Sequence, residues 1–497
     1  MYHPLLAQRA AENRPIRVGI VGTGKFGGGV VAQLSQMRGM EVSVIAELSV
    51  ERARHAYTVA GRLPDDALRV ANNAGELHDV IRNGQRAIVE DGMLLVQCDL
   101  VDVVVEATGI PDVGARMAYH AILNRKHVIM VNVEADITIG PILRRLADSA
   151  GVVYTMVDGD QPGCTMNMID WARALGFEIV AAGRGTILFD DDPQGTPDTV
   201  PQRFGFSAEL IERRTINFKM FNSFRDGTKA NVEMTALANA AGLVPDVRGM
   251  HEPRVNIEEI AQAFSLQEEG GLLSQHGVVE LANSVAADGQ SLLPNPLKMG
   301  VFCVIRTDHP FIQEDLQNYN VAPGGHNNNY VLWRPYHLVA VEAPISIMNA
   351  VFYGQPTGSC RPTPTAECVT VAKRHVEEGE VLDGGGGYTV LGHCEKASVA
   401  CTERLLPLGL SVGAGSNRMW PPARPLRTDM VELPTDSFYL EAAAVAGCDG
   451  VRGCRVWRVA SGGWRVAGWR VAGGEWRELF KVYVHGSKTR RRTRTLF

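Results

Sequence analysis

The sequence predicts an α/β protein that opens with a doubly wound parallel sheet, and three observations predict it. Short β-branched runs recur at 16–20, 41–46, 102–106 and 127–131. Helical periodicity fills much of the sequence between them, and the first run enters the glycine-rich turn Gly22-Thr23-Gly24-Lys25-Phe26-Gly27. At 497 residues with 45% hydrophobic content, the chain exceeds one compact core, so two or three domains are expected.

The first strand, IRVGI, runs straight into a GxGxxG spacing. Gly22 permits the tight turn, Gly24 lets a pyrophosphate approach the backbone, and Gly27 lets the next helix pack on the strand. That helix, read over 30–37, would start with free N–H groups facing the phosphates, with Thr23, Lys25 and Phe26 around them. The second strand ends in Glu47, about 20 residues on, where an acidic residue takes the ribose hydroxyls. Arg52 is close enough to pair instead with a 2′-phosphate, so NAD and NADP both stay open. The plainer alternative makes Glu47 and Arg52 two solvated residues at a helix start.

The run DVVVE at 102–106 is nearly continuous in apolar residues, as in a strand buried on both faces, and ends in Ala107-Thr108-Gly109 on the nicotinamide side of the crevice. A helix over 113–124 and the strand HVIMV follow, then Asn132 and Glu134, which complete the cofactor-binding set. Right-handed crossovers then give one topology, a Rossmann domain over 1–155. The segment 53–97 reads as a helical, polar insertion with no assigned role.

RVGIVGTGKFG, VVVEATG, HVIMVNVEAD, DGDQPG and DGTKANVEM together resemble the homoserine dehydrogenase-like proteins with a carboxy-terminal SAF domain. One branch of that family comprises the 1-deoxy-D-xylulose-5-phosphate reductoisomerase-like enzymes. The resemblance runs from about Leu5 to about Tyr439. It implies an NAD(P)-dependent enzyme in three parts: the Rossmann domain, an α+β catalytic and dimerisation domain over 156–355, and a small β-rich SAF domain over 356–440. A small polar hydroxy or carbonyl substrate and a homo-oligomer, dimer or tetramer, are further expectations.

The strand VVYTMV leads to Asp158-Gly159-Asp160 and a helix over 165–175. Two carboxylates at i and i+2 in such a loop suit a metal, a substrate hydroxyl or acid–base work; alternatively Asp160 simply caps the helix. In Arg225-Asp226-Gly227-Thr228-Lys229, a helix begins that runs through Asn239, with Gly242 as its stop. Lys229 and Glu233 stand at i and i+4 with Asp226 at the mouth.

Homoserine dehydrogenases use a lysine at the matching place to pass the hydroxyl proton, although the Asp-to-Lys spacing here is shorter. A lysine lowered in pKa by burial near another cation, with Arg225 or Lys219 as neighbours, suits that task. Without the resemblance, Lys229 and Glu233 read as a surface pair and Asp226 as a cap. The catalytic candidates are therefore Lys229, Asp226, Glu233 and Asp160. Arg184, ending a strand over 179–182, stands where relatives often carry lysine and suits an anionic substrate group. A further strand reads over 301–306. His337, before a strand expected over 338–342, is an acid–base candidate or a structural residue.

Composition excludes other classes. Nine singly spaced cysteines give no zinc or disulfide pattern, and the uneven starting sequence gives no leader, so a cytoplasmic protein without membrane or nucleic-acid partners is expected. From Asp449 onward twelve Lys/Arg face three Asp/Glu, a local balance of +9 that leaves the preceding chain at −15. WRVA recurs at Trp457, Trp464 and Trp469, and the residues from 441 onward read as a frameshift-derived or disordered tail, or else as a basic binding arm. Three functions compete. The first is a dehydrogenase that needs no metal. The second is a reductoisomerase-like enzyme using a divalent metal on Asp158, Asp160 and Glu233. The third is a dinucleotide-sensing protein without turnover.

Overall fold

The computed structural model describes residues 1–213, 216–324, 328–434, 438 and 442, and the short strands 456–458 and 464–466. Most of the basic tail, including 488–494, lies outside the described residues, as do the last residues of the expected third domain. Within 456–466, two of the WRVA units pair as antiparallel strands.

Seven parallel strands form the first sheet: β1 (Ile16–Val21), β2 (Met40–Ala46), β3 (Leu68–Val70), β4 (Arg86–Val89), β5 (Val103–Glu106), β6 (His127–Met130) and β7 (Tyr154–Met156). Their order is β3-β4-β2-β1-β5-β6-β7, so the chain winds outward from β1 on one side and returns beside it as β5. The crevice between β1 and β5 is the switch point where loops diverge and a ligand can enter. The insertion 53–97 is therefore no appendage. It supplies β3, β4 and the helix Ala74–Arg82, and extends the sheet past β2. Strands of three and four residues are too short to show a period, which hid them in the sequence.

A second, mixed sheet holds β8 (Glu178–Thr186), β9 (Val244–Pro245), β10 (Val278–Asn283), β11 (Val301–Arg306), β12 (Ala322–Pro323) and β13 (Asn329–Arg334), in the order β12-β13-β11-β8-β10-β9. Two expectations change here. Gly183 to Thr186 continue β8 instead of following it, and 338–342 is a turn, the strand lying earlier as β13. Pro335 and the left-handed Ala340 (φ 69°) prevent a strand there. One face of the sheet is covered by α1 (Gln161–Ala174) and α2 (Thr228–Ala241), through Ile169, Met234 and Leu237. On the other, Phe264 stacks on Phe302 with ring centroids 5.2 Å apart.

β14 (Ala366–Ala372) and β15 (Val390–Lys396) form an antiparallel hairpin whose backbone is pinned to α2. Gly392 N donates to Thr228 Oγ1 (3.2 Å), Cys394 N to Asn231 Oδ1 (2.8 Å), and Ala366 N to Asn239 Oδ1 (2.9 Å). Every residue of α2 except Ala240 is consequently buried. Thr228, Asn231 and Asn239 are tolerated inside because the side-chain oxygen of each accepts from a backbone N–H of the hairpin.

Candidate active site

The glycine loop meets the requirements for a dinucleotide. Gly22 is left-handed (φ 89°), and a methyl there would come within 3.0 Å of the Ala107 carbonyl, so the turns after β1 and β5 touch. A methyl on Gly27 would collide with the Gly22 carbonyl. Gly24 faces open space, the side from which a pyrophosphate would approach, and caps the helix Lys25–Leu34 that carries Lys25, Phe26 and Gly27.

Glu47 is buried, not solvated. One of its oxygens accepts from Thr23 N (3.0 Å) and Thr23 Oγ1 (2.9 Å), and the other pairs with Arg52, whose side chain is 64% exposed. Burial pushes the Glu47 pKa up, but those donors outweigh it and hold the carboxyl below its ordinary value.

At the carboxyl end of β5, Glu106 accepts from Thr108 N (2.9 Å) and Thr108 Oγ1 and fixes the Ala107-Thr108-Gly109 turn. After β6, Asn132 caps the helix Val133–Ala150 through Ala135 N (3.2 Å), and Glu134 sits in that helix's first turn.

Lys229, on α2, reaches across to this helix and donates from Nζ to Glu134 Oε1 at 2.9 Å. Glu233 lies one turn further along α2 and pairs with the buried Arg184 of β8. Asp160, at the start of α1, accepts from Gln161 N (3.1 Å), so it caps its helix and also belongs electrostatically to the same cluster. Lys229 is only 9% exposed and Glu233 2%, which excludes the solvent-exposed pair.

Lys229 corrects one expectation. Arg225 pairs with Asp192, and Lys219 donates to the Asp383 carbonyl, so neither sits beside it as a cationic neighbour. Burial pushes the Lys229 pKa down, and the carboxylates of Glu134, Glu233 and Asp160 more than reverse this, leaving it raised. The ammonium is held, not released. Burial likewise raises Asp160 and Glu233.

Asp226 is not at the mouth of this cluster. Its Oδ2 accepts from Lys373 Nζ (2.7 Å) and its Oδ1 from Thr228 N (2.9 Å), so it starts α2 and ties in the β14–β15 hairpin. Lys373 is 147 residues away in sequence, beyond any local signal.

Asp158 is also turned away. Both its oxygens accept from Asn167 Nδ2, at 3.1 and 3.0 Å, and among the described residues Asp158, Asp160 and Glu233 do not gather into a metal-sized group. Asp158, Cys164 and Glu342 do lie close together, but Arg334 already occupies that corner, 2.6 Å from Glu342.

Sequence reasoning missed Met299, whose carbonyl accepts from Gln161 Nε2 (2.8 Å) and faces His337 Nδ1 (3.0 Å). A polar contact to a main-chain oxygen leaves no trace in residue type.

A family model described as oxidoreductase DRL, catalytic domain, matches residues 159–343. Homoserine dehydrogenase from Methylobacillus glycogenes is 30% identical over 172 residues, which is 33% of this chain; the chain spans 38% of that relative's length. Among solved structures, a probable dehydrogenase from Thermotoga maritima is 11% identical and shares 68% of this chain and 90% of its own, with a TM-score of 0.37. Scyllo-inositol dehydrogenase from Lactobacillus casei with bound NAD(H) and scyllo-inositol is 13% identical and shares 59% and 73%, with a TM-score of 0.31.

Proposed function

We propose that the chain is an NAD(P)-dependent, homoserine dehydrogenase-like oxidoreductase that exchanges hydride with a small polar hydroxy or carbonyl compound. One observation carries this reading: the Lys229 ammonium, delivered by the second domain, meets Glu134 of the Rossmann domain at the carboxyl end of the sheet. The match to an oxidoreductase catalytic domain over 159–343 supports it. The cofactor set is Gly22, Thr23, Gly24, Lys25, Phe26, Gly27, Glu47, Ala107, Thr108, Gly109, Asn132 and Glu134. Residues 356–440 make up the SAF-like part.

A bound nicotinamide supplies or takes the hydride. The chain's own residues manage the proton. Lys229, kept protonated by Glu134, Glu233 and Asp160, donates a hydrogen bond to the substrate oxygen and supplies its proton as a carbonyl becomes an alcohol. Asp160, its carboxyl raised by burial, adds a third acidic group to the field around Lys229. Glu233 holds the buried Arg184 in place, and the rest of the guanidinium reaches the Gly185 carbonyl (3.1 Å) and the Met299 sulfur (3.7 Å). The held ammonium favours carbonyl reduction at neutral pH.

For the cofactor, Glu47 already spends its oxygens on Thr23 and Arg52, while Arg52 keeps an exposed face. This favours a 2′-phosphate over bare ribose hydroxyls, hence NADP(H) over NAD(H).

The test begins with binding. At a cofactor concentration 100 times Kd, thermal or chemical stability rises by about 2.7 kcal/mol. No stabilisation by millimolar NADPH or NADH overturns the assignment. Lys229→Ala retains this stabilisation and loses turnover by about 10²-fold or more, measured with L-homoserine and its aldehyde as first substrates; unchanged turnover removes Lys229 from the chemistry.

A further inference from the structure

Glu106 is fully buried at the end of β5, and the proton chemistry above leaves it unused. A carboxylate at the carboxyl end of a central strand is costly to bury, so its neighbours matter. One oxygen, Oε1, accepts from the N–H and hydroxyl of Thr108. The other, Oε2, is buried without a partner within bonding geometry among the described residues, and so is Nδ2 of Asn132. These two atoms border the same space above Gly114: a methyl there would come 2.8 Å from Glu106 Oε2 and 2.9 Å from Asn132 Nδ2. An acceptor and a donor thus border one space, short of a formed bond, between the turn at 107–109 and the helix bearing Glu134.

We propose that Glu106 is a positioning residue that, when ionised, accepts from both Thr108 and Asn132, clamping the turn that faces the nicotinamide to the helix that holds Glu134 and Lys229. The inference rests on the dinucleotide reading above. A protonated Glu106 would turn an O–H towards the amide N–H of Asn132, donor against donor, and open the clamp. Burial raises Glu106 to about 7 against the opposing bonds from Thr108 and the pull of the nearby Asn132 amide, with Glu134 pushing the same way as burial. The groups facing it are Thr108 from its own turn, Asn132 and Glu134 from the helix Val133–Ala150, Gly114 from the helix Pro111–Leu123, and Tyr154 from β7. Closing the clamp on a bound dinucleotide therefore releases a proton, and binding tightens as pH rises.

The experiment is titration of the full chain with NADPH by calorimetry and fluorescence between pH 6 and 8, beside Glu106→Gln and the conservative variant Glu106→Asp. In the wild type the affinity rises about tenfold over this range beyond any change shared with Glu106→Gln, as for one group near pH 7. Titration of the cofactor's own phosphate is common to all three proteins and cancels in the comparison. Glu106→Gln binds several-fold more weakly than the wild type at pH 8 and lacks the extra pH dependence. Glu106→Asp, which keeps an ionisable carboxylate on a shorter side chain, retains a pH dependence that Glu106→Gln lacks. Equal pH dependence in wild type and Glu106→Gln overturns the proposal, as does a Glu106→Asp variant as flat in pH as Glu106→Gln. If the wild type binds no dinucleotide at any pH, the functional reading fails instead, and the two failures are distinct.

Discussion

At the scale of single residues, this chain spends its buried charge in two ways. Lys229, Glu134, Glu233, Asp160 and Arg184 cluster where chemistry is proposed, whereas Asp226 and Lys373 form a structural pair, 0% and 2% exposed at the side chain. Lys373 Nζ also donates to the carbonyls of Gly195 (2.9 Å) and Gly387 (2.8 Å), so it joins three segments. Breaking such a pair leaves an uncompensated buried charge, and Lys373→Met is expected to cost about 3–5 kcal/mol in urea unfolding. Adding Asp226→Asn should return part of that loss, and a Lys373→Met variant as stable as the wild type would contradict the assignment. In the sequence, Asp226 and Lys229 looked alike, polar residues at one helix start. Their roles separate only because a lysine just beyond β14 claims one and a glutamate from the Rossmann domain claims the other.

At the scale of elements, the strands with long apolar runs were legible. β1, β2, β5, β6 and β11 fall within a residue of where periodicity puts them, and the helix through Lys229 ends at Gly242 as read. What escaped was short or shaped by distant partners: β3 and β4 in the insertion, and the turn at 338–342. The β14–β15 hairpin carries its own pH signature. His393 lies against Gly249, where a methyl would be 3.2 Å from Nδ1, and burial, with Arg248 adding to it, pushes the imidazole down to about 4. The folded state binds that proton less well than the unfolded chain, whose histidine titrates near 6.5. The stabilising contribution is therefore complete above about pH 6.5 and is lost as pH falls towards 4. Acid unfolding followed by circular dichroism should show a shallower loss across that window in His393→Leu than in the wild type; equal slopes would place the acid sensitivity elsewhere.

At the scale of the whole molecule, α2 is the common wall of three units. It packs on the mixed sheet through Met234 and Leu237, contributes Val232 and Ala236 to the core that runs into the Rossmann helices, and receives the hairpin's backbone donors. The Lys229–Glu134 bond crosses the same junction. Units that share a buried helix should unfold together, so one calorimetric transition is expected over the described body, with the calorimetric and van't Hoff enthalpies equal. Two resolved transitions would show that the Rossmann domain stands alone. The fold class was legible because it depends on local pattern. The junction was not, because it depends on which surfaces meet.

That shared wall also sets an order of manufacture. As the chain leaves the ribosome, β1 to β7 are complete by residue 156, and the Rossmann sheet can close early. The lysine-bearing helix emerges after α1 and β8, yet one of its neighbours, β15, ends only at Lys396, more than 150 residues later. Until then the side-chain oxygens of Thr228, Asn231 and Asn239 lack the hairpin N–H groups that they accept from in the finished fold. A nascent chain paused in that interval would hold a finished parallel sheet beside an uncovered lysine-bearing helix.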